Sequence, residues 1–284
     1  MKPTRLFLVT FAAMLAFAGN SLLCRFALKQ TAIDAASFTY VRIFSGALIL
    51  YFLARVRGAA TKSAGNWPSA CALFAYAAAF SFAYISLPAG TGALLLFGAV
   101  QATMILWSLW AGERLRILQI VGLTSALAGL VALVFPGISA PPFRGSLLML
   151  SAGVGWGIYS LRGRLNLDPI AATAGNFLRA LPFAALLGLV SLRYLRLDFA
   201  GLGYAIISGA ITSGLGYVLW YTALPKLKAA SAATVQLSVP LLAAGGGILL
   251  LGEPLTLHFL LASLAILGGI ALVVWQADAR EAER

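Results

Sequence analysis

The stretch Tyr84–Pro88 reads YISLP, and it returns as YTALP at Tyr221–Pro225. The two copies lie 137 residues apart in a chain of 284 residues, so each half contains one. At the same offset, Arg42 matches Arg179. Arginine inside an apolar helix is rare, so this second match indicates a repeat and not a chance similarity.

A second shared motif follows the fourth apolar run of each half. Gly112-Glu113-Arg114-Leu115 corresponds to Gly252-Glu253-Pro254-Leu255, at an offset of 140 residues. A three-residue insertion in the region of the ninth apolar run explains the change of offset. We therefore predict that the chain is an internal duplication with one unit in each half.

The composition indicates what kind of unit is duplicated. Hydrophobic residues make up 61% of the chain, charged residues make up 10%, and the mean hydropathy is +0.95. Soluble proteins have about 25% charged residues, so this chain cannot cover a water-facing surface and is predicted to be an all-α polytopic membrane protein. Ten apolar runs are long enough to be transmembrane helices. They are residues 5–28, 36–54, 67–87, 91–111, 117–135, 145–162, 170–190, 201–223, 230–251 and 256–275.

The lysine and arginine residues predict the orientation. With a cytoplasmic N-terminus, thirteen of the 20 lie on the cytoplasmic side, four lie outside and three lie within apolar runs. Cytoplasmic loops carry an excess of such residues, so both termini are predicted to be cytoplasmic. The net charge of +12 then records membrane orientation, and no nucleic-acid partner is expected. The predicted location is the bacterial inner (plasma) membrane.

Each unit has five spans, an odd number, so the second unit enters the membrane from the opposite side. The loop after YISLP has no lysine or arginine and is expected outside, whereas the loop after YTALP has Lys226 and Lys228 and is expected inside. We predict two inverted five-helix repeats, as in many alternating-access transporters. The units are residues 1–138 and 139–276, and residues 277–284 form a cytoplasmic tail.

The order of these motifs resembles the drug/metabolite transporter superfamily in its ten-helix EamA-type form. The resemblance rests on the Leu-Pro after the third run, the Gly-Glu-x-Leu after the fourth run, and Trp156-Gly157, where the first half has Gly19-Asn20 instead. It covers essentially the whole chain. The architecture and aromatic content are similar to those of YddG-type exporters of amino acids, including aromatic ones. The resemblance implies a site near the midplane, lined by helices one, three, four, six, eight and nine.

The acidic residues argue against several mechanisms. All eight lie at helix ends, in loops or in the tail, so no helix middle carries a carboxylate for proton or cation coupling. The one histidine, His258, lies near the end of the last run. These residues give no catalytic triad, metal site or phosphate-binding loop. We expect no enzyme activity, no metal and no cofactor. An intramembrane enzyme and a non-transporting scaffold are the alternatives from other classes.

Aromatic and polar side chains within the runs are the candidates for substrate binding. The third and eighth runs each carry three of them at four-residue spacing, on one helix face. Such a face either packs against neighbours or lines a pocket for a small amphipathic substrate, and both interpretations stay open. The candidates are Asn20, Tyr76, Phe80, Tyr84, Gln101, Trp156, Tyr159, Ser213, Tyr217, Tyr221 and Gln236.

Four arginines lie in or beside apolar runs. Arg42 and Arg179 lie about two turns into matching helices, where a charge usually faces the bundle or a cavity. A structural role, such as binding helix-end carbonyls, is the favoured interpretation, and a substrate carboxylate is the alternative partner. Arg25 and Arg162 lie at helix ends, where snorkelling to the surface explains them.

These observations predict a secondary transporter that exports small metabolites, amino acids above all, by alternating access. Another small polar or drug-like solute is the alternative. The expected partners are the small-molecule substrate and the lipid bilayer. Small residues spaced four apart in the fifth and tenth runs, Ser125 with Gly129 and Ala265 with Gly269, favour close packing within the chain or between copies, so the oligomeric state stays open and a monomer fits.

Overall fold

Polar residues at the ends of the apolar runs determine where several helices begin. Asp34, Asp168 and Asp198 each accept hydrogen bonds from backbone N–H groups in the first turn of the helix that follows. Asn66 caps the third helix in the same way, accepting from the Ser69 N–H at 2.9 Å. These caps satisfy backbone donors that an apolar helix leaves open. Three of the acidic residues thus cap helix N-termini.

A computed structural model of the protein describes residues 3–58, 64–112, 117–135, 140–163, 168–227 and 235–282, with the side chains of the last helix described as far as Val273. No strand occurs in these ranges. The helices are α1 (Pro3–Gln30), α2 (Ala35–Val56), α3 (Trp67–Tyr84), α4 (Ala89–Trp110), α5 (Ile117–Val134), α6 (Phe143–Gly163), α7 (Pro169–Val190), α8 (Phe199–Ile207), the π-helix π1 (Ser208–Leu215), α9 (Gly216–Ala223), α10 (Ser238–Leu251) and α11 (Leu257–Ala282).

The helices follow the ten predicted runs, except that α11 continues to Ala282, seven residues past the end of the predicted run and into the predicted tail 277–284. The eighth run is the continuous stretch α8–π1–α9, and the start of the ninth run, residues 230–234, lies outside the described residues. Within the described residues, six helical stretches are long and apolar enough to cross a membrane, while Ser238–Leu251 and Leu257–Val273 are shorter apolar helices. The prediction of an all-α polytopic membrane protein is confirmed.

Helices from the two halves of the chain pack against each other. α2 lies against α7, α3 lies against α6, and α1 lies against π1 and α9. α4 contacts both α6 and α10. The halves therefore share one interior, and the predicted division between residues 138 and 139 stays a prediction from the sequence.

α5 and α11 form a closely packed pair. Gly122 and Gly269 bring the two backbones so near that a Cβ on either glycine would overlap the carbonyl oxygen of the other. Ser125 Oγ also donates to the Ala265 carbonyl at 3.2 Å. The small residues predicted to favour close packing therefore do so within the chain.

The π-helix was not foreseen. π-helical turns are rare and often occur at functional sites. Gly209 in π1 lies directly against α2, where a Cβ would overlap the Arg42 carbonyl oxygen and the Ser45 hydroxyl. Only glycine allows this approach, which places the hydroxyl side chains of π1 in the interior of the bundle.

Candidate substrate site

Polar side chains from α1, α3 and π1 meet in the interior. Asn20 Nδ2 donates to the Tyr76 hydroxyl at 3.1 Å. Asn20 Oδ1 accepts from the hydroxyls of Ser208 at 2.7 Å and Thr212 at 3.3 Å. The buried amide is thus bonded at both ends, and it joins the two halves of the chain.

Arg42 of α2 extends this network. Its Nε donates to Ser213 Oγ at 3.1 Å, and its Nη2 donates to the hydroxyls of Tyr76 at 2.9 Å and Tyr217 at 3.4 Å. The guanidinium carbon lies 5.1 Å from the ring centroid of Tyr76 and 4.8 Å from that of Phe80, which adds cation–π attraction. The Arg42 side chain is only 1% exposed.

The Arg42 cation has no carboxylate partner among the described residues. The three capping aspartates are engaged at helix ends, and Glu253 bonds to Arg25. The Nη1 atom of Arg42 also lacks a hydrogen-bond partner in this part of the chain. A buried guanidinium that is incompletely bonded is costly, so a membrane protein retains one where an anion or a water-filled path uses it.

Aromatic rings cover the network. The Trp156 ring of α6 lies 4.6 Å from that of Tyr217, 5.0 Å from Tyr76 and 5.8 Å from Phe17, between centroids. Phe17 lies a further 5.9 Å from Trp220. All five side chains are at most 6% exposed. The cluster is therefore buried inside the bundle, and a solute can reach it only if helices move.

Seven of the predicted site residues meet in this cluster, namely Asn20, Arg42, Tyr76, Phe80, Trp156, Ser213 and Tyr217. Tyr159 adjoins it, with its ring 5.5 Å from that of Trp156. Tyr84 also adjoins it, with its ring 4.7 Å from that of Phe80, and its hydroxyl donates to the Ala89 carbonyl at 3.3 Å. Tyr221 lies further out, with its ring 6.3 Å from that of Tyr159.

Gln101 and Gln236 are buried but are not joined to the network by any described contact. Gln101 Nε2 and Gln236 Oε1 lack partners among the described residues. Both were predicted as site residues from their polarity alone. The structure shows only that each brings an unbonded polar atom into the interior.

Four members of the cluster were missed from the sequence: Phe17, Ser208, Thr212 and Trp220. A signal existed for Phe17, which lies three residues before Asn20 on the same helix face. The expected set of lining helices was also incomplete. α2 was not among them, yet it supplies Arg42, because Gly209 lets π1 approach this part of α2.

The two arginines at matching positions have different surroundings. Arg179 Nη1 donates to the carbonyls of Ala64 at 2.7 Å and Gly175 at 3.0 Å. Such bonds to backbone carbonyls are expected of a structural arginine. Arg42 lies instead among hydroxyls and rings, so the alternative interpretation fits it better.

The interpretation of Arg25 as a snorkelling side chain is wrong. It is only 9% exposed, and its Nε pairs with Glu253 Oε1 at 3.1 Å. Its Nη1 donates to the carbonyls of Tyr84 and Ile85, each at 3.0 Å. The buried carboxylate of the second Gly-Glu-x-Leu motif holds the side chain in the bundle. Arg162 differs, because it donates to polar side chains at the start of α3.

Two described cavities lie away from the cluster. One, of about 530 Å³, lies between α4, α5 and α6 and has almost entirely apolar walls. The other, of about 490 Å³, lies beside the connection between α1 and α2 and the short helical turn Leu192–Tyr194. Neither cavity is lined by Arg42 or by the residues bonded to it, so cavity volume alone does not identify the candidate substrate site.

Similarity to known proteins identifies the family of this chain. Residues 143–275 match the model of the EamA-like transporter family. An uncharacterized protein of Pseudomonas aeruginosa is 60% identical over 96% of each chain. An uncharacterized transporter of Archaeoglobus fulgidus is 30% identical over 67% of this chain and 69% of its own. A probable terminal-alkyne amino-acid exporter of Streptantibioticus cattleyicolor is 27% identical over 65% of this chain and 63% of its own.

A solved crystal structure has a TM-score of 0.67 at 19% identity. The match covers 98% of this chain and 99% of that chain, and it shows a shared fold. The chain belongs to the EamA-like transporter family.

Proposed function

We propose that this transporter exports amino acids, including those with aromatic or other apolar side chains, by alternating access. The observation that carries the proposal is the closed aromatic cluster around Arg42. Phe17 and Tyr76 come from the first half of the chain, and Trp156, Tyr217 and Trp220 come from the second. A site at the seam of two halves is where rocking of one half against the other exposes a substrate to each side in turn.

The chemistry of the cluster suits an amphipathic solute. The rings offer a surface for an apolar side chain, while the Arg42 guanidinium and the surrounding hydroxyls offer hydrogen bonds to a charged backbone. Small-molecule sites combine apolar walls and a few placed polar groups in this way. The relative named as an amino-acid exporter supports the same substrate class.

The driving force we propose is the gradient of the substrate itself, by uniport or exchange. Proton coupling through a carboxylate needs an acidic side chain at the site. Of the acidic side chains that the structure describes, three cap helices and one pairs with Arg25. None of these reaches the network around Arg42.

The direct test is counterflow in proteoliposomes over a panel of amino acids. Trp156→Leu removes the central ring and is expected to reduce flux and alter substrate preference. Trp110→Leu is the matched control, because Trp110 is 79% exposed and its described ring contact is with Trp107, which is outside the cluster. Flux of a drug-like solute with no amino-acid flux would favour the alternative substrate class, and unchanged flux in Trp156→Leu would contradict the site.

A labelling experiment tests the proposed inverted topology. Single cysteines at Lys226 and at Leu255, which is 52% exposed, sit in the connections that the charge pattern assigns to opposite sides. Cys71 is exposed and is replaced by serine first. An impermeant maleimide should reach only Leu255→Cys from outside the cell. Labelling of both positions from one side would exclude the inversion.

A further inference from the structure

Resting on this proposed function, we infer that Arg42 binds the carboxylate of the substrate. The transported class is then amphipathic organic carboxylates, zwitterionic amino acids among them, and not lipophilic cations. The inference starts from the Nη1 atom of Arg42, which is buried and has no hydrogen-bond partner among the described residues. Every other nitrogen of this guanidinium is bonded.

The neighbouring hydroxyls are already engaged. The Tyr76 hydroxyl oxygen accepts from both Arg42 Nη2 and Asn20 Nδ2, so it offers no acceptor to Nη1. The hydroxyls of Ser213 and Tyr217 also accept from Arg42, and the Tyr217 hydroxyl is hydrogen-bonded with those of Tyr76 and Ser213. The N–H groups of Nη1 are therefore donors without an acceptor among the described residues. A carboxylate supplies only acceptors, with about four lone-pair positions on two oxygens, and it complements these donors.

The charge balance points to the same ligand. Arg42 has no carboxylate partner in the described part of the chain, so an incoming anion would neutralise it, whereas an incoming cation would meet like charge in a low-dielectric interior. Arg179 provides the internal comparison. Two backbone carbonyls already occupy one of its nitrogens, as expected for an arginine with a structural role.

The rings next to Arg42 specify the rest of the ligand. Phe80 and Tyr76 lie against the guanidinium, and the Trp156 ring lies 5.0 Å from that of Tyr76. A carboxylate held at Nη1 therefore has its organic part among aromatic faces. Small hydrophilic anions such as acetate or phosphate would pair with the Arg42 guanidinium but would make little contact with these rings.

The test compares four probes that differ only at the charged groups. Phenylalanine carries both groups, 3-phenylpropionate carries the carboxylate alone, and phenethylamine and phenylalaninamide carry the ammonium alone. The same comparison is made for leucine and its analogues. Binding to the purified protein is measured by the ligand-dependent shift in thermal unfolding, and transport is measured by competition in counterflow. Wild type is compared with Arg42→Gln and Arg42→Lys.

The expected result is that the carboxylate-bearing probes bind and the two ammonium-only probes do not. Arg42→Gln should weaken carboxylate binding about 10- to 100-fold, as expected for loss of a charge-assisted hydrogen bond. Arg42→Lys, which keeps the charge but not the planar fork, should lie in between. Arg193→Gln is the charge-matched control, since Arg193 is exposed in the connection between α7 and α8, and it should bind like wild type.

Two outcomes overturn the inference: equal binding of phenethylamine and phenylalanine, or unchanged carboxylate affinity in folded Arg42→Gln. If that variant does not fold, the four-probe comparison on wild type and the Arg42→Lys affinity decide. If the protein transports a solute that has no carboxylate and binds no carboxylate, the inference about Arg42 is refuted, but the protein is still a transporter. If carboxylates bind but no counterflow occurs, the proposed function is refuted, but the inference about Arg42 still holds. The two failures are therefore distinguishable.

Discussion

Glu253 connects three segments at the predicted outer end of the bundle, and its replacement by glutamine is expected to loosen that end. One carboxylate oxygen accepts from Arg25 Nε at 3.1 Å, and the other accepts from the Ala89 N–H at 2.7 Å. Arg25 also donates to two carbonyls at the end of α3. The ion pair therefore ties α1 to the α3–α4 turn and to the connection between α10 and α11.

The magnitude follows from these contacts. Removing one partner of a buried ion pair costs about 3–5 kcal/mol. Arg25 keeps its two carbonyl partners and glutamine can still accept one hydrogen bond, so the lower end, about 3 kcal/mol, is expected. Pro88 provides no side-chain cap to α4, so the variant also loses the anion at that helix N-terminus. A change of about 3 kcal/mol alters the ratio of closed to open states roughly a hundredfold.

Cys24 reports the opening without an introduced cysteine. It is fully buried and precedes Arg25 in α1, whereas Cys71 is exposed and is replaced by serine. The rate at which a maleimide labels Cys24 should rise at least about tenfold in Glu253→Gln, within the range set by the energy above. Asp198→Asn is the matched control: it also removes a carboxylate that caps a helix, here from Gly201 N–H, but one with no arginine partner in the described residues.

An unchanged Cys24 labelling rate in folded Glu253→Gln protein would refute the idea that the ion pair holds this end closed. A lower thermal midpoint with unchanged labelling would assign the pair to global stability instead. The double replacement Arg25→Gln/Glu253→Gln separates the two effects further, because a direct interaction makes its effect smaller than the sum of the single replacements.

Three further predictions concern the network and its supports. Tyr76→Phe removes an acceptor shared by two buried donors, and thermal unfolding should show a loss of about 1–3 kcal/mol. Gly209→Ala should cost a similar amount, about 1–3 kcal/mol, because its methyl group would overlap α2, while Gly203→Ala, in open space, should be neutral or slightly stabilising. Burial raises the pKa of Asp34, but hydrogen bonds, that of the Arg196 N–H first, outweigh it and lower this pKa below 3.8. The stabilisation is therefore present at neutral pH and lost as the pH falls through that lowered value, and Asp34→Asn should flatten the acid side of the pH–stability profile.

Helix positions could be predicted because the bilayer sets them. A span needs about 20 apolar residues, and polar caps such as Asp34 and Asp168 determine where the helix after them begins. The predicted run 36–54 and the helix Ala35–Val56 therefore differ by two residues or fewer at each end. Burial inside the bundle is not encoded in this way, which is why Arg25, near a helix end, was assigned to the surface.

The partners within the site could not be predicted, because they depend on a departure from α-helical periodicity. Ser208 and Ser213 are five residues apart, which a helix of 3.6 residues per turn places on diverging faces. The π-helix brings both into the interior, one to Asn20 and the other to Arg42. Trp220 gave no distinguishing signal either, since aromatic residues near helix ends are also typical of membrane interfaces.

The contrast between Arg42 and Arg179 bears on the predicted duplication. Sequence places them at one repeat position, and a strictly symmetric chain would give them one role. In the second half, the backbone carbonyls of Ala64 and Gly175 bond Arg179. In the first half, π1 presents hydroxyl side chains to α2, and Arg42 keeps an unbonded nitrogen among the described residues. We propose that the matching arginine is structural in the second half and available to a ligand in the first, which favours one carboxylate per transport cycle over a symmetric pair of sites.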